Sequence, residues 1–249
     1  MIKARFSRPL LALALAPLAT LAACNSAEEP AEGAVESEPV EAVAAPEGQS
    51  WSQMVTQTEQ GGYLMGNPDA PIKLVEYGAL SCSHCADFAE TAGPELRSDY
   101  IDSGRVSFET RFVVLNAMDV PAGLLVQCSA PEATVALADQ FWASQASFFE
   151  NAQQAGDGAF QQASSLPPEQ RLVAMAELFG MIDFFASRGI SRDQAVACLT
   201  DLDAAQEFVD TSNSYEVTST PTLEINGTRL TSAPTWEELE PALQRAGAR

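Results

Sequence analysis

Ile72-Lys73-Leu74-Val75-Glu76-Tyr77-Gly78-Ala79-Leu80-Ser81-Cys82-Ser83-His84-Cys85 is the stretch on which the fold turns. Residues 72–77 have the β-branched and aromatic content of a strand, and residues 82–100 have helical character. Two cysteines spaced Cys-x-x-Cys therefore fall where a strand hands over to a helix. Cys82 meets the unpaired N–H groups and the positive end of the helix dipole, which stabilise a thiolate. Thiols so placed fall to pKa values of about 3.5–7.5 from about 8.5. Cys85 follows one turn later on the same face, within reach of Cys82. This arrangement predicts that Cys82 exchanges disulfides with a substrate and that Cys85 resolves or forms the mixed disulfide. Ser83 and His84 lie between them, and an imidazolium at His84 would favour the thiolate further. The spacing has two other uses. One is half a structural zinc site, whose remaining ligands would have to come from His84, Cys128 and Cys198. The other is a plain disulfide, although so short a loop adds little chain-entropy stabilisation.

Outward from this stretch, residues 62–66 read as a short edge strand and residues 67–71, Asn-Pro-Asp-Ala-Pro, as a turn. Residues 106–115 form another strand pattern, with Val106, Phe108, Phe112 and Val114 at even spacing. From about Met118 to Tyr215 the pattern is helical, punctuated at Gly156-Asp157-Gly158, Leu166-Pro167-Pro168 and Gly189-Ile190-Ser191. Strand signals return at Thr222-Leu223-Glu224-Ile225 and Thr228-Arg229-Leu230, on either side of the hairpin dipeptide Asn226-Gly227. Thr235-Trp236-Glu237-Glu238 has the form of a capping box opening a last helix to about Ala246. The aromatic pairs Phe141-Trp142, Phe148-Phe149 and Phe184-Phe185 are expected in the helical core.

The chain has 249 residues, 46% of them hydrophobic, enough for a substantial core. With 13 basic and 34 acidic residues its formal charge is −21, which argues against a nucleic-acid partner or an anionic lipid surface bound by charge. One histidine, His84, leaves no material for multi-histidine metal sites or a second catalytic centre of the Ser-His-Asp kind. No cofactor is expected. At the N-terminus Lys3, Arg5 and Arg8 precede an apolar run at residues 10–21, too short to span a membrane comfortably and followed by small residues. Residues 1–23 are therefore expected to be an export signal. Leu21-Ala22-Ala23-Cys24 resembles the lipobox of bacterial lipoproteins, in which Cys24 would be lipidated; the alternative is ordinary cleavage after Ala22 or Ala23. Asn25 after the cysteine resembles the outer-membrane sorting pattern of enteric lipoproteins. Residues 24–50, rich in Ala, Glu, Pro and Ser and without a basic residue, are expected to form a disordered acidic spacer.

Val217-Thr218-Ser219-Thr220-Pro221-Thr222 resembles the cis-proline loop of the thioredoxin superfamily, where the Thr220 backbone would pair with an extended substrate; alternatively Pro221 simply starts a strand. With the redox motif ahead of it, this loop gives the chain a resemblance to the DsbA family of thiol–disulfide oxidoreductases, covering about residues 61–246. The resemblance implies an α/β, thioredoxin-like fold (residues 51–117 and 215–249) with an inserted all-helical domain (residues 118–214). In relatives a buried glutamate ending the strand before the motif assists proton transfer at the inner cysteine, which would assign that role to Glu76. It also implies reduced or unfolded exported proteins as partners, a membrane protein that reoxidises the pair, a monomeric state and a periplasmic location. Direction of electron flow stays open between oxidase and reductase or isomerase, because Ser83 replaces the proline of the best-known members. Glu216 likewise stands where many relatives carry glycine. Cys128 and Cys198 lie on apolar faces and would be core thiols in a reducing compartment; after export they are expected to pair, like a helical-domain disulfide in some relatives. A non-catalytic binding lipoprotein, either a holdase or a soft-metal chaperone, is the rival reading from another class.

Overall fold

The computed structural model describes residues 37–249. Its sheet contains β1 (Val55–Gln57), β2 (Tyr63–Gly66), β3 (Ile72–Gly78), β4 (Val106–Phe112), β5 (Thr222–Ile225) and β6 (Thr228–Arg229), in the spatial order β1-β2-β4-β3-β5-β6. β3 and β4 run parallel from Ile72–Val106 to Gly78–Phe112, and β5 lies antiparallel on the other side of β3. In β3 every residue except Lys73 is buried, as befits a central strand. The strand at residues 63–66 is not the edge: it sits between β4 and β1, and β1 closes the sheet. Three residues, two of them polar, are too few to show a strand pattern in the sequence.

A parallel pair needs a crossover. Here it is helical: α1 (Ser83–Thr91), α2 (Gly93–Glu95) and a π-helical turn, Leu96–Ile101. The expected single helix is broken because Pro94 offers no N–H to the ladder. The chain then widens into the π turn, closed by a bond from the Asp102 N–H to the Arg97 carbonyl five residues back. Between β4 and β5 stand α3 (Asp119–Val126), α4 (Pro131–Ala143), α5 (Gln145–Ser164), α6 (Pro168–Phe179), α7 (Met181–Ala186), α8 (Arg192–Thr200) and α9 (Leu202–Ser214). Phe141 stacks on Phe148 and Phe185, with Phe184 packed edge-on against all three. Phe149 departs from the expected core and is 42% exposed. Gly156 kinks α5 at φ 78°, and Gly180 ends α6 in the left-handed region.

Asn226 and Gly227 both take positive φ, forming the hairpin turn between β5 and β6. α10 (Trp236–Arg245) starts where expected, with Thr235 in extended N-cap geometry, but the Thr235 hydroxyl makes no capping bond.

The spacer requires correction over residues 37–50, which bind along the domain. Ser37 N–H donates to the Arg245 carbonyl, Val40 N–H to Gly247 and Val43 N–H to Ser103, each at 2.9 Å. Arg105 Nε and Trp51 Nε1 donate back to the Val40 and Val43 carbonyls. Side-chain composition underestimates such a segment because its main chain makes the contacts. Gly104 makes the approach possible: a Cβ there would lie 2.2 Å from the Val43 carbonyl oxygen. The expected export signal, Cys24 and the first part of the expected spacer lie outside the described residues.

Candidate active site

Cys82 is the N-cap of α1, in extended geometry (φ −83°, ψ 118°), and Cys85 lies within the first turn with no exposed surface. Both are free thiols in this structure. The turn that carries them is held from outside. The Asp119 carboxylate accepts from the Ser81 N–H (2.8 Å) and Ser81 Oγ (3.0 Å), and from the Leu115 and Asn116 N–H groups (both 2.9 Å). Trp142 Nε1 donates to the Ala79 carbonyl, and buried Gln145 donates through Nε2 to the carbonyls of Leu80 (2.8 Å) and Cys82 (3.1 Å). Asp119, Trp142 and Gln145 are absent from the expected site. Nothing local in the sequence ties them to the redox turn, because the turn residues they bind lie 38 to 65 residues away.

The downstream loop closes over the first cysteine. The Thr220–Pro221 peptide is cis, and Cys82 Sγ lies 3.3 Å from the Thr220 carbonyl oxygen, across 138 residues of sequence. Glu216, where many relatives carry glycine, takes φ 52°, the left-handed conformation glycine favours.

Electrostatically the two thiols are driven apart. Cys82 falls to about 5, chiefly through a hydrogen bond from the Cys85 thiol, against the opposing effect of burial. The Thr220 side chain and the N–H groups of Cys85 and His84 add to the thiolate's stabilisation. Burial, followed by the bond to Cys82 and the nearby Glu76 charge, pushes the Cys85 thiol far up. Glu76, on β3, is 1% exposed, and burial is the main cause that lifts its carboxyl to about 8. Asp139 and Cys82 reinforce that rise, and Arg97 opposes it. The side chains of the two residues between the cysteines face outward. His84 supports the thiolate through its backbone N–H, while its side chain is 79% exposed, with Nδ1 4.0 Å from Asp87. Ser83 is exposed and lines a surface groove beside α1.

This arrangement has the parts of a dithiol exchange centre: a half-buried thiolate, a buried partner thiol and a buried carboxyl lifted to about 8, near neutral pH. Away from it, Cys128 and Cys198 form a disulfide joining the end of α3 to α8. Among the described residues, no group of three or more His, Cys, Asp or Glu side chains is arranged to hold a metal ion. Nor is any described helix long and apolar enough to cross a membrane.

A family model described as thioredoxin matches residues 58–245. A putative protein-disulfide oxidoreductase of Rickettsia bellii is 34% identical over 70 residues, 28% of this chain and 27% of that protein. The disulfide bond formation protein D of Bacillus subtilis is 37% identical over 49 residues, 20% of this chain and 22% of that protein. The matches thus span about a quarter of the length of these curated relatives. Among solved structures, a protein-disulfide isomerase from Novosphingobium aromaticivorans superposes at TM-score 0.69 and 27% identity, covering 74% of this chain and 96% of that one. Wolbachia pipientis α-DsbA1 superposes at TM-score 0.55 and 21% identity, over 74% and 89% of the two chains, a likeness of fold. The chain therefore belongs to the thioredoxin family, in the DsbA-like form with a helical domain inserted in the sheet.

Proposed function

We propose that this chain is an exported thiol–disulfide oxidoreductase acting as an oxidase on reduced or unfolded exported proteins. The observation that carries this reading is the Cys82 thiolate at the mouth of α1, held at about 5, beside a buried Cys85 thiol. Stabilising the thiolate stabilises the reduced pair and makes the disulfide more oxidising. In the oxidised form, a substrate thiolate attacks Cys82 Sγ and breaks the Cys82–Cys85 bond. Cys85 leaves as a thiolate and takes a proton from neutral Glu76. A second substrate thiolate then attacks its own sulfur in the mixed disulfide and releases Cys82 as the thiolate. The substrate loses two electrons to the pair, and a membrane partner carrying a disulfide restores it. The Thr220 carbonyl, next to Cys82 Sγ, is the main-chain acceptor for an extended substrate segment.

The export signal and the lipobox-like Cys24 support a lipid-anchored location on the periplasmic side of a bacterial membrane, with Asn25 favouring the outer one and the folded part acting as a monomer. The isomerase or reductase reading has one specific support, the name of the Novosphingobium structure. Equilibration of the Cys82–Cys85 pair with glutathione separates them. A potential near DsbA's, about −120 mV, supports the oxidase, and one near thioredoxin's, about −270 mV, refutes it. If Cys82→Ser leaves function intact and Cys85→Ala traps no mixed disulfide, catalysis itself is refuted. Mass spectrometry of the mature N-terminus tests the anchor, which an unmodified terminus beyond Cys24 would refute.

A further inference from the structure

Glu76 can serve Cys85 repeatedly only if its proton has a route to solvent. The carboxyl is buried, and its Oε1 has no hydrogen-bond partner. It borders a narrow internal cavity with room for about one water molecule. Phe88, Leu96, Phe108 and Trp142 make much of the wall apolar, and Arg97 and Asp139 supply the other charged groups. These two form an ion pair, with side chains 30% and 31% exposed. Both also line the open groove beside α1, together with Asp87 and Glu90. The pair, with Ala89 and Trp142, thus lines both the cavity and the open groove, and it supplies the only charged side chains common to the two. Arg97 reaches it from the π-helical turn, a backbone irregularity often found at functional sites.

We propose that Asp139, held in place by Arg97, is the port through which Glu76 exchanges its proton with solvent. This inference rests on the thiol-exchange reading above. When Cys85 must attack a mixed disulfide, its S–H proton passes to the Glu76 carboxylate, leaving a thiolate and a neutral acid. Glu76 gives a proton to the cavity water, which hands one to the Asp139 carboxylate, and Asp139 releases it to the groove. One proton leaves, both carboxylates are restored and no electron moves along this path. The direction reverses when Cys85 is the leaving group. Asp139 acts through Glu76 and is a positioning residue for the proton. The charged groups around it are Glu76 from β3, Asp87 and Glu90 from α1 and Arg97 from the π turn; α5 contributes Gln145 and Ala146 to the same groove. Burial raises the Asp139 carboxyl, opposed by Arg97, which moves its acidity toward that of Glu76.

The test uses the full reduced chain and glutathione disulfide, following resolution of the Cys82–glutathione mixed disulfide across pH in dilute buffer. Asp139→Ala should slow resolution by about ten-fold or more, the low end of what a positioned proton carrier supplies. Added formate, which can enter the space left beside Arg97, should restore the rate, and Asp139→Glu should retain it. Arg97→Gln combined with Asp139→Ala should stay slow, which separates the port from the effect of an unpaired guanidinium. The initial attack by Cys82 should be unchanged in all of them. Full-speed resolution in Asp139→Ala, or a slowing that formate does not relieve, overturns the port. If the wild-type chain forms no mixed disulfide at all, the thiol-exchange reading falls, and the port with it.

Discussion

Reactivity of Cys82 across pH tests the central electrostatic result most directly. With its thiol at about 5, Cys82 is almost wholly thiolate at pH 6 and gains little by pH 9. An ordinary thiol of pKa about 8.5 is less than about 1% ionised at pH 6 and about three-quarters ionised at pH 9. Nucleophilicity falls with basicity, with a Brønsted coefficient of about 0.4–0.5, so each Cys82 thiolate should be about 40-fold less reactive than an ordinary one. The two effects cross. Cys82 should attack a small neutral disulfide about eight-fold faster than glutathione at pH 6, about equally near pH 7, and about 30-fold more slowly at pH 9. The assay is stopped-flow release of a chromophoric leaving group from 4,4′-dithiodipyridine, using the reduced Cys24→Ser chain so that Cys82 is the attacking thiol. Cys85 then closes the Cys82–Cys85 disulfide after the first hit. A rate that climbs between pH 6 and pH 9 in parallel with glutathione would refute the thiolate and the account of α1 built on it.

Glu76→Gln should change the pH dependence of stability. An unfolded glutamate ionises near 4.3 but the folded one near 8, so folded Glu76 holds its proton longer. Its contribution is therefore fully present below about 4.3 and is lost as pH rises through 8. Urea unfolding of the reduced protein should show Glu76→Gln gaining on the order of 3–5 kcal/mol relative to wild type between pH 4 and pH 8.5; a difference that does not vary with pH would contradict the burial argument. Asp119→Ala leaves the N–H donors of Ser81, Leu115 and Asn116 without their acceptor. It should cost about 3 kcal/mol or more and move the Cys82 reactivity midpoint upward, whereas a loss below about 1 kcal/mol would show the carboxylate to be dispensable. Replacing Cys128 and Cys198 with serine opens a disulfide across 70 residues and should cost about 4 kcal/mol in unfolding free energy. The Cys82–Cys85 potential should not move, since the bridge lies between α3 and α8; a shifted potential would show that the helical domain sets the redox poise.

Much of the fold was legible because its signals are local. The period of residues 72–77, the Cys-x-x-Cys spacing and the Asn226-Gly227 turn each lie within a few residues of chain, and β3, the start of α1 and the hairpin stand where those signals put them. Other features depended on distant partners. β1 is three residues long and becomes a strand because Val55 pairs with Met65. Residues 37–50 carry few large apolar side chains, yet their main chain finds Ser103, Arg245 and Gly247. Thr235 had the residues of a capping box without the bond, since N-cap backbone geometry does not by itself aim the hydroxyl.

At the candidate site the division is sharper. By itself the sequence determined which atoms the proposed chemistry uses: Cys82 and Cys85 are one turn apart on a helix that begins at Ser83, and helix geometry fixes their proximity. The order of the motif, the helical block and Pro221 also fixed the family to which they belong. Only the tertiary structure decided how acidic each group is. Cys85 far above an ordinary thiol and Glu76 at about 8 follow chiefly from burial, whereas Cys82 reaches about 5 against burial, chiefly through the Cys85 thiol on its own helix, with Thr220 added from the distant loop. The same packing placed the Arg97–Asp139 pair against the Glu76 cavity and gave Asp119 and Gln145 the loop they hold. Desolvation and charge act through space, and a linear sequence does not record which groups share a dry volume.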